Sequence, residues 1–283
     1  MNSALKIPTK RTMGGYSIPY LGFGTYKIAP EDTQRLVETA LEAGIRHIDT
    51  AQMYGNEKQV GAAIAASGIP RYQIFLTTKL NNGNHLSDDA RRSFEQSLAD
   101  LQTDYVDLFL MHWPMVHRYG GRFPECFQMM QDFSADGSAR TVGVSNFEVE
   151  HLERLRTETG LVPHVNQIEM HPLFANNKVL DYCAKHRIVV QAWSPLARGK
   201  ILEIPEVQTI ATRLERTPAQ VALRWALQRG VIVFPKSSSR ERIEENANIF
   251  DFSLDEESMR ILNNLDKGEA GRTGSSPQTM DRI

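Results

Sequence analysis

Apolar and polar positions alternate along the chain in two different periods. Short apolar-rich runs are separated by longer stretches in which apolar residues recur every three or four positions. The short runs are typical of buried strands, and the longer stretches are typical of amphipathic helices. The pattern predicts eight strands, at residues 21–23, 45–48, 74–78, 106–111, 141–144, 164–168, 188–192 and 231–234. The clearest helices are predicted at residues 31–43, 57–64, 87–101, 149–157, 177–186 and 218–228.

This regular alternation predicts a closed parallel barrel. Strand starts are 23 to 43 residues apart, which is close to the length of one strand-helix unit with its loops. The longest interval contains an additional helical segment within residues 199–213. Gly14-Gly15 lies between two short mixed runs and indicates a hairpin within residues 1–20. We therefore predict an α/β fold, a (β/α)8 TIM barrel with an N-terminal β-hairpin and an extra helix before strand 8.

The competing architecture is a doubly wound Rossmann sheet. Its nucleotide-binding loop requires the pattern G-x-G-x-x-G after the first strand. Residues 22–27 read GFGTYK, so Lys27 stands where the third glycine belongs. Because that glycine allows close packing of helix on strand, the mismatch favours the barrel.

Composition limits the class of protein without choosing its function. The 283 residues are 41% apolar and 23% charged with a net charge of −2, which fits one soluble domain and excludes an electrostatic reason to bind nucleic acid. Cys126 and Cys183 lie far apart and have no metal-ligand spacing. No signal-like N-terminus and no apolar run of membrane-spanning length is found, so we expect a cytoplasmic protein with no membrane partner. Residues 267–283 are rich in Gly, Ser and Thr and predict an irregular C-terminal tail.

Polar residues stand where seven consecutive predicted strands end. In parallel barrels, chemistry is carried by residues at the carboxyl ends of the strands. A purely structural barrel has no reason to direct a carboxylate, an ammonium and an imidazole into one mouth. The pattern therefore favours a catalytic site at this end. The residues concerned are Asp49, Lys79, His112, Ser145, Asn146, Gln167, Ser194 and Lys236.

Several motifs, in this order, resemble the aldo-keto reductase family. They are GIRHIDTAQMYGNE at 44–57, FLTTK at 75–79, LFLMHWP at 108–114, GVSNF at 143–147 and FPKS at 234–237. The resemblance runs through almost the whole chain and implies one aldo-keto reductase barrel domain over residues 1–283. Within the family the chain looks most similar to bacterial 2,5-diketo-D-gluconate reductase-type enzymes, through the short loop after Trp113 and the presence of Trp193.

The resemblance implies four catalytic residues. Tyr54 would be the general acid, Lys79 and Asp49 would tune it, and His112 would orient the carbonyl group. Physical chemistry agrees, because a free phenol titrates near pH ~10 and gives up its proton only if a nearby cation stabilises the phenolate. A carboxylate would in turn keep a buried ammonium charged. The alternatives are a structural ion pair at the rim for Lys79 and Asp49, and a hydrogen-bonded core residue for His112.

The implied cofactor is NADPH or NADP+. By the resemblance, Trp193 stacks on the nicotinamide ring, and the loop of residues 194–200 lies over the pyrophosphate. Residues 236–246 follow the eighth strand and open a helix, where backbone N–H groups and two cations favour a phosphate. The alternative for Trp193 is a core aromatic residue. The predicted cofactor contacts are Ser145, Asn146, Gln167, Trp193, Ser194, Leu196, Lys236, Ser237, Arg242, Glu245 and Asn246.

The resemblance also implies the partner, a small carbonyl substrate. The matching pocket walls are Tyr26, Met53 and Trp113, for which ordinary rim packing is the alternative. We therefore expect a monomeric NADPH-dependent reductase of aldehydes or ketones, such as small dicarbonyls or keto-sugar acids, with no metal. A nucleotide-binding regulatory or structural barrel with little turnover is the alternative function. Relatives usually carry a small residue where this chain has Gln52, and nothing in the sequence shows how that longer side chain is accommodated.

Overall fold

The computed structural model describes residues 6–283, so the first five residues of the predicted hairpin segment lie outside it. Ten strands and ten helices follow one another through the described residues. The strands are β1 Thr9–Arg11, β2 Ser17–Pro19, β3 Phe23–Gly24, β4 His47–Asp49, β5 Phe75–Leu80, β6 Leu108–Met111, β7 Val142–Ser145, β8 Val165–Glu169, β9 Val189–Trp193 and β10 Ile232–Val233. The helices are α1 Pro30–Glu42, α2 Glu57–Ala66, α3 Ser87–Asp100, α4 Phe123–Ala135, α5 Val149–Thr159, α6 Asn177–Lys185, α7 Pro205–Arg213, α8 Pro218–Gln228, α9 Arg240–Ala247 and α10 Glu256–Asn263.

Strands β3 to β10 form one parallel sheet in which each strand pairs with its neighbour in the chain. Val233 in β10 also bridges Leu21, just before β3, so the sheet closes on itself. The predicted (β/α)8 barrel is confirmed. The doubly wound alternative is wrong, because its strand order reverses at a switch point and this order does not.

The hairpin of β1 and β2 covers the amino ends of the barrel strands. Ile18 of β2 is fully buried in an apolar cluster with barrel-interior residues such as Leu108 and Val165. Lys10 donates to the carbonyl oxygen of Gly230, which precedes β10. With this end filled by apolar side chains, the opposite, carboxyl end of the barrel is the one that can open to a ligand.

Local sequence signals explain where several elements begin and end. Gly44 adopts a φ of +91° after α1, a backbone conformation that glycine reaches without steric cost. Thr217 caps α8 through a reciprocal capping box with Gln220, and Pro218 occupies the first helical position. The predicted insertion before strand 8 contains a 3-10 segment, Ala197–Glu203, followed by α7. The tail contains one 3-10 turn, Gly268–Gly271, and is otherwise free of helix and strand.

Both cysteines are buried as free thiols, Cys126 on α4 and Cys183 on α6. Burial raises the pKa of each thiol to about 12. Because the thiolate is the reactive form, neither side chain is a nucleophile at neutral pH. Among residues 6–283, the model contains no helix with the length and apolar character needed to cross a membrane.

Candidate active site

A cavity of about 990 Å³ opens at the carboxyl ends of the barrel strands. Its size lies at the upper end of the range for small-molecule sites. Every catalytic, cofactor and substrate residue predicted from the sequence lines it, with the exception of Lys79. Lys79 is fully buried beneath the cavity floor. The structure therefore brings all the predicted site residues together at one end of the barrel.

Lys79 lies at the centre of the catalytic group. Its Nζ is 2.6 Å from Oδ1 of Asp49, the last residue of β4, and 2.8 Å from the carbonyl oxygen of Thr50. The same atom is 3.4 Å from the hydroxyl of Tyr54. Tyr54 is carried by the 3-10 turn Gln52–Tyr54, which follows β4 directly. An ammonium group thus bridges a carboxylate and a phenol from one strand end.

The charge on Lys79 depends on Asp49. Burial lowers the pKa of Lys79, while the charge and the hydrogen bond of Asp49 oppose that effect. The pair is nearly sealed from water, since the Lys79 side chain is 0% exposed and that of Asp49 is 7% exposed. Removing one member of such a pair leaves an uncompensated buried charge. The two residues therefore function as one unit.

Tyr54 is a protonated phenol at neutral pH. Burial raises its pKa well above the ordinary value, and the charge of Asp49 and the neighbouring Tyr26 add to this. The sequence argument gave Lys79 the effect of stabilising the phenolate, but in the ligand-free site that effect does not outweigh burial. The phenol consequently holds a proton that it can donate, and Lys79 can stabilise negative charge only as the proton leaves.

His112, directly after β6, is neutral. Burial lowers its pKa well below the ordinary value, and the charges of Lys79 and His85 lower it further. Its ring lies 5.8 Å from that of Tyr54, centroid to centroid, in an edge-to-face arrangement. A neutral imidazole carries one N–H donor, which suits a hydrogen bond to a carbonyl oxygen.

The predicted nicotinamide contacts form a hydrogen-bonded cluster that reaches Asp49. Gln167 Nε2 donates to Asp49 Oδ2 over 2.7 Å and to Gln191 Oε1 over 3.0 Å. Ser145 Oγ donates to the carbonyl oxygen of Gln167 over 2.8 Å. Gln191 was not predicted as a site residue, because its position inside β9 carries no signal beyond strand alternation. The carboxamide side of the site and the proton-donor side thus share one carboxylate.

Asn146 and Trp193 hold each other in place. Trp193 Nε1 donates to Asn146 Oδ1 over 2.8 Å, and Asn146 Nδ2 donates to the carbonyl oxygen of His112 over 2.9 Å. Asn146 has a φ of +63° and Ser194 a φ of +49°. Such left-handed residues cost of order 1–3 kcal/mol and concentrate at functional sites. Here they turn the ends of β7 and β9 so that the side chains face the cavity.

The far end of the cavity collects the predicted phosphate and adenine contacts. Lys236, Ser237 and Arg242 line it at the start of α9, whose N-cap residue Ser239 accepts from the Arg242 N–H. Neither Lys236 nor Arg242 makes a salt bridge to any residue of the described range 6–283. Arg240, in contrast, pairs on the outer surface with Glu42 and Glu244. Lys236 and Arg242 are therefore available to a ligand, whereas Arg240 is already paired with carboxylates.

The adenine end also includes residues that the sequence did not indicate as contacts. Glu245 Oε1 accepts a hydrogen bond of 2.7 Å from Thr217 Oγ1. Thr217, Pro218 and Ala219 line the cavity at the start of α8. The sequence marked Thr217 as a helix cap, and the same hydroxyl serves as a cap and as a support for Glu245.

The C-terminal tail is fastened across the cavity mouth by Glu169, at the end of β8. Its carboxylate accepts from the backbone N–H of Thr273 over 2.7 Å, from that of Gly274 over 2.9 Å, and from His171 Nε2 over 3.0 Å. Burial by itself raises the pKa of Glu169, but these hydrogen bonds outweigh burial and lower it. The tail then lines the mouth, ending with Met280, Asp281 and Arg282. Glu169 was not predicted, although it follows Gln167 on the same face of its strand.

The three predicted pocket walls differ in exposure. Tyr26 is 47% exposed and stacks obliquely on Tyr54 at 5.0 Å between ring centroids, whereas Trp113 is 7% exposed. Met53 is half-buried within the Tyr54 turn.

As for metals, residues 6–283 contain no cluster of three or more His, Cys, Asp or Glu side chains that could hold an ion.

Several known proteins are similar to this chain in sequence or in structure. An aldo-keto reductase of Mycobacterium sp. (strain JLS) is 45% identical over 267 residues, covering 94% of this chain and 95% of that protein. The glyoxal reductase of Bacillus subtilis (strain 168) is 39% identical over 281 residues, covering 99% of both. A crystal structure of a Gox0644 mutant in complex with NADPH superposes with a TM-score of 0.93 at 37% identity, over 98% of this chain and 100% of that one.

The family model described as "Aldo/keto reductase family" matches residues 20–267. That range includes the whole barrel and all the predicted site residues. The tail that crosses the cavity mouth lies almost entirely outside the match. Because the match spans far more than half of the residues and the relatives are similar over nearly their full length, this chain belongs to the aldo/keto reductase family.

Proposed function

We propose that the protein is an NADPH-dependent carbonyl reductase in which Tyr54 donates the proton. The observation that carries this proposal is the group of Lys79, Asp49 and Tyr54 at one strand end, with neutral His112 beside them. A protonated phenol, a buried cation behind it and an N–H donor are what reduction of a carbonyl group requires from the protein. A barrel that only binds nucleotide has no use for this arrangement.

The donor set of the cavity fits a dinucleotide phosphate. Trp193 offers an indole face at one end, amides lie beside it, and Lys236 and Arg242 lie at the other end without protein partners among residues 6–283. A planar guanidinium and an ammonium at the start of a helix suit a phosphate group. A structural neighbour of 37% identity was crystallised with NADPH. When bound, this cofactor supplies the hydride.

The side chains of the protein would orient the carbonyl group and supply the proton. His112 orients the carbonyl oxygen by a hydrogen bond, and Tyr54 transfers its phenolic proton to that oxygen as negative charge develops there. Lys79, held charged by Asp49, stabilises the phenolate left behind. Since Gln167 donates to the same Asp49, the position of the nicotinamide carboxamide is coupled to the proton donor. Trp193 would cover one face of a bound nicotinamide ring and leave the other toward the substrate.

The substrate class follows from the space left beside Tyr54. Tyr26, Met53 and Trp113 form a largely apolar wall that accommodates a small aldehyde or ketone. The similarity to a protein named glyoxal reductase supports small dicarbonyls as the first substrates to test. The similarity to 2,5-diketo-D-gluconate reductase-type enzymes stays a prediction, and keto-sugar acids belong in the same panel.

Turnover of NADPH with a panel of dicarbonyls, keto acids and aldehydes tests the proposal. We expect the near-ultraviolet absorbance of NADPH to fall in the presence of at least one of these substrates. Tyr54→Phe should abolish that turnover and leave NADPH affinity unchanged, because the ring remains and only the proton is lost. Tyr72→Phe is the matched control, since Tyr72 is 70% exposed and far from the cavity lining. Full activity of Tyr54→Phe would refute the assignment of the proton donor.

A further inference from the structure

Gln52, the first residue of the turn that carries Tyr54, makes three hydrogen bonds through its side chain. Its Oε1 accepts from the backbone N–H of Asn81 over 2.7 Å and from Asn84 Nδ2 over 3.4 Å. Its Nε2 donates to Ser97 Oγ over 3.1 Å. The long side chain thus reaches two other elements of the barrel, the end of β5 and helix α3.

Hydrogen bonds connected to these partners lie on both sides of Lys79 along the chain. Asn81 is two residues after Lys79, and the neighbouring Thr78 donates to Glu57 Oε1 over 2.5 Å. The other oxygen of Glu57 accepts from Ser97 Oγ over 3.1 Å, and Ser97 is the same residue that receives the Gln52 amide. A closed set of hydrogen bonds therefore connects the Tyr54 turn to the strand segment that carries Lys79.

The turn is anchored at its flanks, where Thr50 accepts from Lys79 and the buried Asn56 bonds Thr50 and Thr25. Between these flanks, the hydrogen bonds to other elements are those of the Gln52 side chain and of the Tyr54 hydroxyl. The local hydrogen bonds of the turn are those from the Tyr54 N–H to Ala51 and from the Gly55 N–H to Gln52, at 3.0 and 3.3 Å. A single 3-10 turn has no appreciable stability of its own, so tertiary contacts determine its position. The Lys79 to Tyr54 separation of 3.4 Å is already at the outer limit of a hydrogen bond. A small displacement of the turn would remove that contact.

We propose that Gln52 is a positioning residue for carbonyl reduction, which holds the Tyr54 hydroxyl within reach of Lys79. The inference rests on the proposed function of Tyr54 as proton donor. Gln52 itself does not line the cavity. It acts through the backbone of its own turn and through the strand segment beyond Lys79.

Loss of the Gln52 amide should impair proton transfer and spare cofactor binding. The groups that face Tyr54 are Asp49 from β4, Lys79 from β5, His112 after β6 and Tyr26 after β3. Lys79 is the one cation among them, so moving the phenol away from it raises the pKa of Tyr54 further. We expect kcat to fall about 10- to 100-fold, as displacements of the order of an ångström do at reacting groups. The alkaline limb of the kcat profile should move to higher pH.

Gln52→Met tests this directly, because methionine keeps the length of the side chain and loses both polar atoms. We expect a lower kcat, a displaced alkaline limb and an unchanged Kd for NADPH. Gln52→Glu retains the acceptor for the Asn81 N–H but replaces the donor to Ser97 with an acceptor, so it should recover only part of kcat. Gln96→Ala is the matched control, since Gln96 is an exposed glutamine on α3 whose amide contacts Asp100. It should behave as the unmodified protein.

Ser97→Ala provides a second perturbation that removes the acceptor of the Gln52 amide without adding volume. A fall in kcat with the same displacement of the alkaline limb supports the proposal even if Gln52→Met does not fold. Wild-type kcat and an unmoved alkaline limb in Gln52→Met, or in Ser97→Ala where that variant has to replace it, would overturn the proposal. Tyr54→Phe, measured in parallel, separates the two hypotheses. Full activity there contradicts the proposed function, whereas an inactive Tyr54→Phe beside a normal Gln52→Met contradicts the role of Gln52 alone.

Discussion

Asp49 makes two hydrogen bonds that serve different parts of the site. Oδ1 accepts from Lys79 and Oδ2 accepts from Gln167, at 2.6 and 2.7 Å. Both oxygens are therefore occupied, and the carboxylate is fixed in rotation as well as in position. A single residue thus determines where the proton donor and the carboxamide contact lie relative to each other.

Gly274 occupies a place that admits no side chain. A Cβ there would lie 2.3 Å from Trp193 Cη2 and 2.9 Å from Glu169 Oε2, so either the ring or the tail must move. We predict that Gly274→Ala raises the KM for NADPH several-fold, because Trp193 loses the position proposed for stacking on the nicotinamide ring. Gly83→Ala is the control, since its Cβ meets nothing closer than 3.7 Å, from the tail residue Ile283. Steady-state kinetics with both variants checks this. Equal KM values for NADPH in the two variants would show that the tail moves and that Trp193 stays in place, which would contradict the prediction.

Residue identities at the site were predictable from the sequence, whereas side-chain contacts were not. Asp49, Lys79 and His112 lie at or next to the carboxyl ends of their strands, and barrel topology brings strand ends together whatever the details of packing. The contacts of Gln52 and Gln167 depend on rotamers and on the path of neighbouring segments. Neither is encoded in a local pattern, so the amide of Gln52 could not be placed.

At the scale of elements, Glu57 joins α2 to both β5 and α3. Burial raises its pKa from 4.5 to about 7, while hydrogen bonds from Thr78 and Ser97 oppose that effect. A raised carboxyl pKa contributes stability that is complete below pH 4.5 and is lost as the pH rises through about 7. The cause is that the buried carboxylate is less favourable than the neutral acid in this position.

Glu57→Gln should therefore flatten the pH dependence of folding. Glutamine resembles the protonated acid, with an oxygen for Thr78 and an N–H for Ser97. We predict that the unfolding free energy of the unmodified protein falls by up to about 3 kcal/mol relative to Glu57→Gln between acidic and alkaline pH. Urea unfolding below pH 4.5 and above pH 7 measures this difference. If the unfolding free energies of the two proteins changed in parallel with pH, the pKa of Glu57 would not be raised by folding. Glu38→Gln, at a surface position of α1, serves as the control.

The sequence predicted long elements better than short ones. Helix α8 has the predicted bounds, since a capping residue and a proline mark its start and its apolar face is continuous. Strands β3 and β10 are only two residues long, which is too short for an alternation of apolar and polar positions to be recognised. Helix α10 was not predicted, although Asp255 caps it through the Ser258 N–H. The anchoring of the tail could not be predicted, because long-range contacts to Glu169 rather than local composition determine its path.

At the scale of the whole molecule, one ligand cleft draws on elements from both halves of the chain. Asp49, Tyr54 and His112 line it from the first half, and the predicted cofactor contacts come from the second half, from β7, β8, β9, the segment after β10, and α9. Binding across such a cleft stabilises the folded barrel by an amount that rises with the logarithm of the ligand concentration relative to Kd. A ligand at 100 times its Kd adds about 2.7 kcal/mol to the unfolding free energy.

Thermal unfolding can thus report whether Lys236 and Arg242 recognise the extra phosphate of NADPH. We predict that Lys236→Ala with Arg242→Ala removes most of the rise in Tm caused by NADPH and has little effect on that caused by NADH. Their charges have no protein partner within residues 6–283, so the unliganded Tm should hardly change. Arg240→Ala is the control, because Arg240 already pairs with Glu42 and Glu244 away from the cavity. An equal loss of stabilisation by both cofactors would place the two cations on a shared phosphate.

The two buried thiols have a practical consequence for labelling the tail. With pKa values of about 12 and no access to solvent, Cys126 and Cys183 should ignore maleimide reagents under native conditions. A cysteine introduced at the exposed Thr279, beside the cavity, would then be labelled selectively without first deleting the native ones. A fluorophore attached there can test whether the tail moves during single turnovers, in a chain that differs from the natural one at a single position.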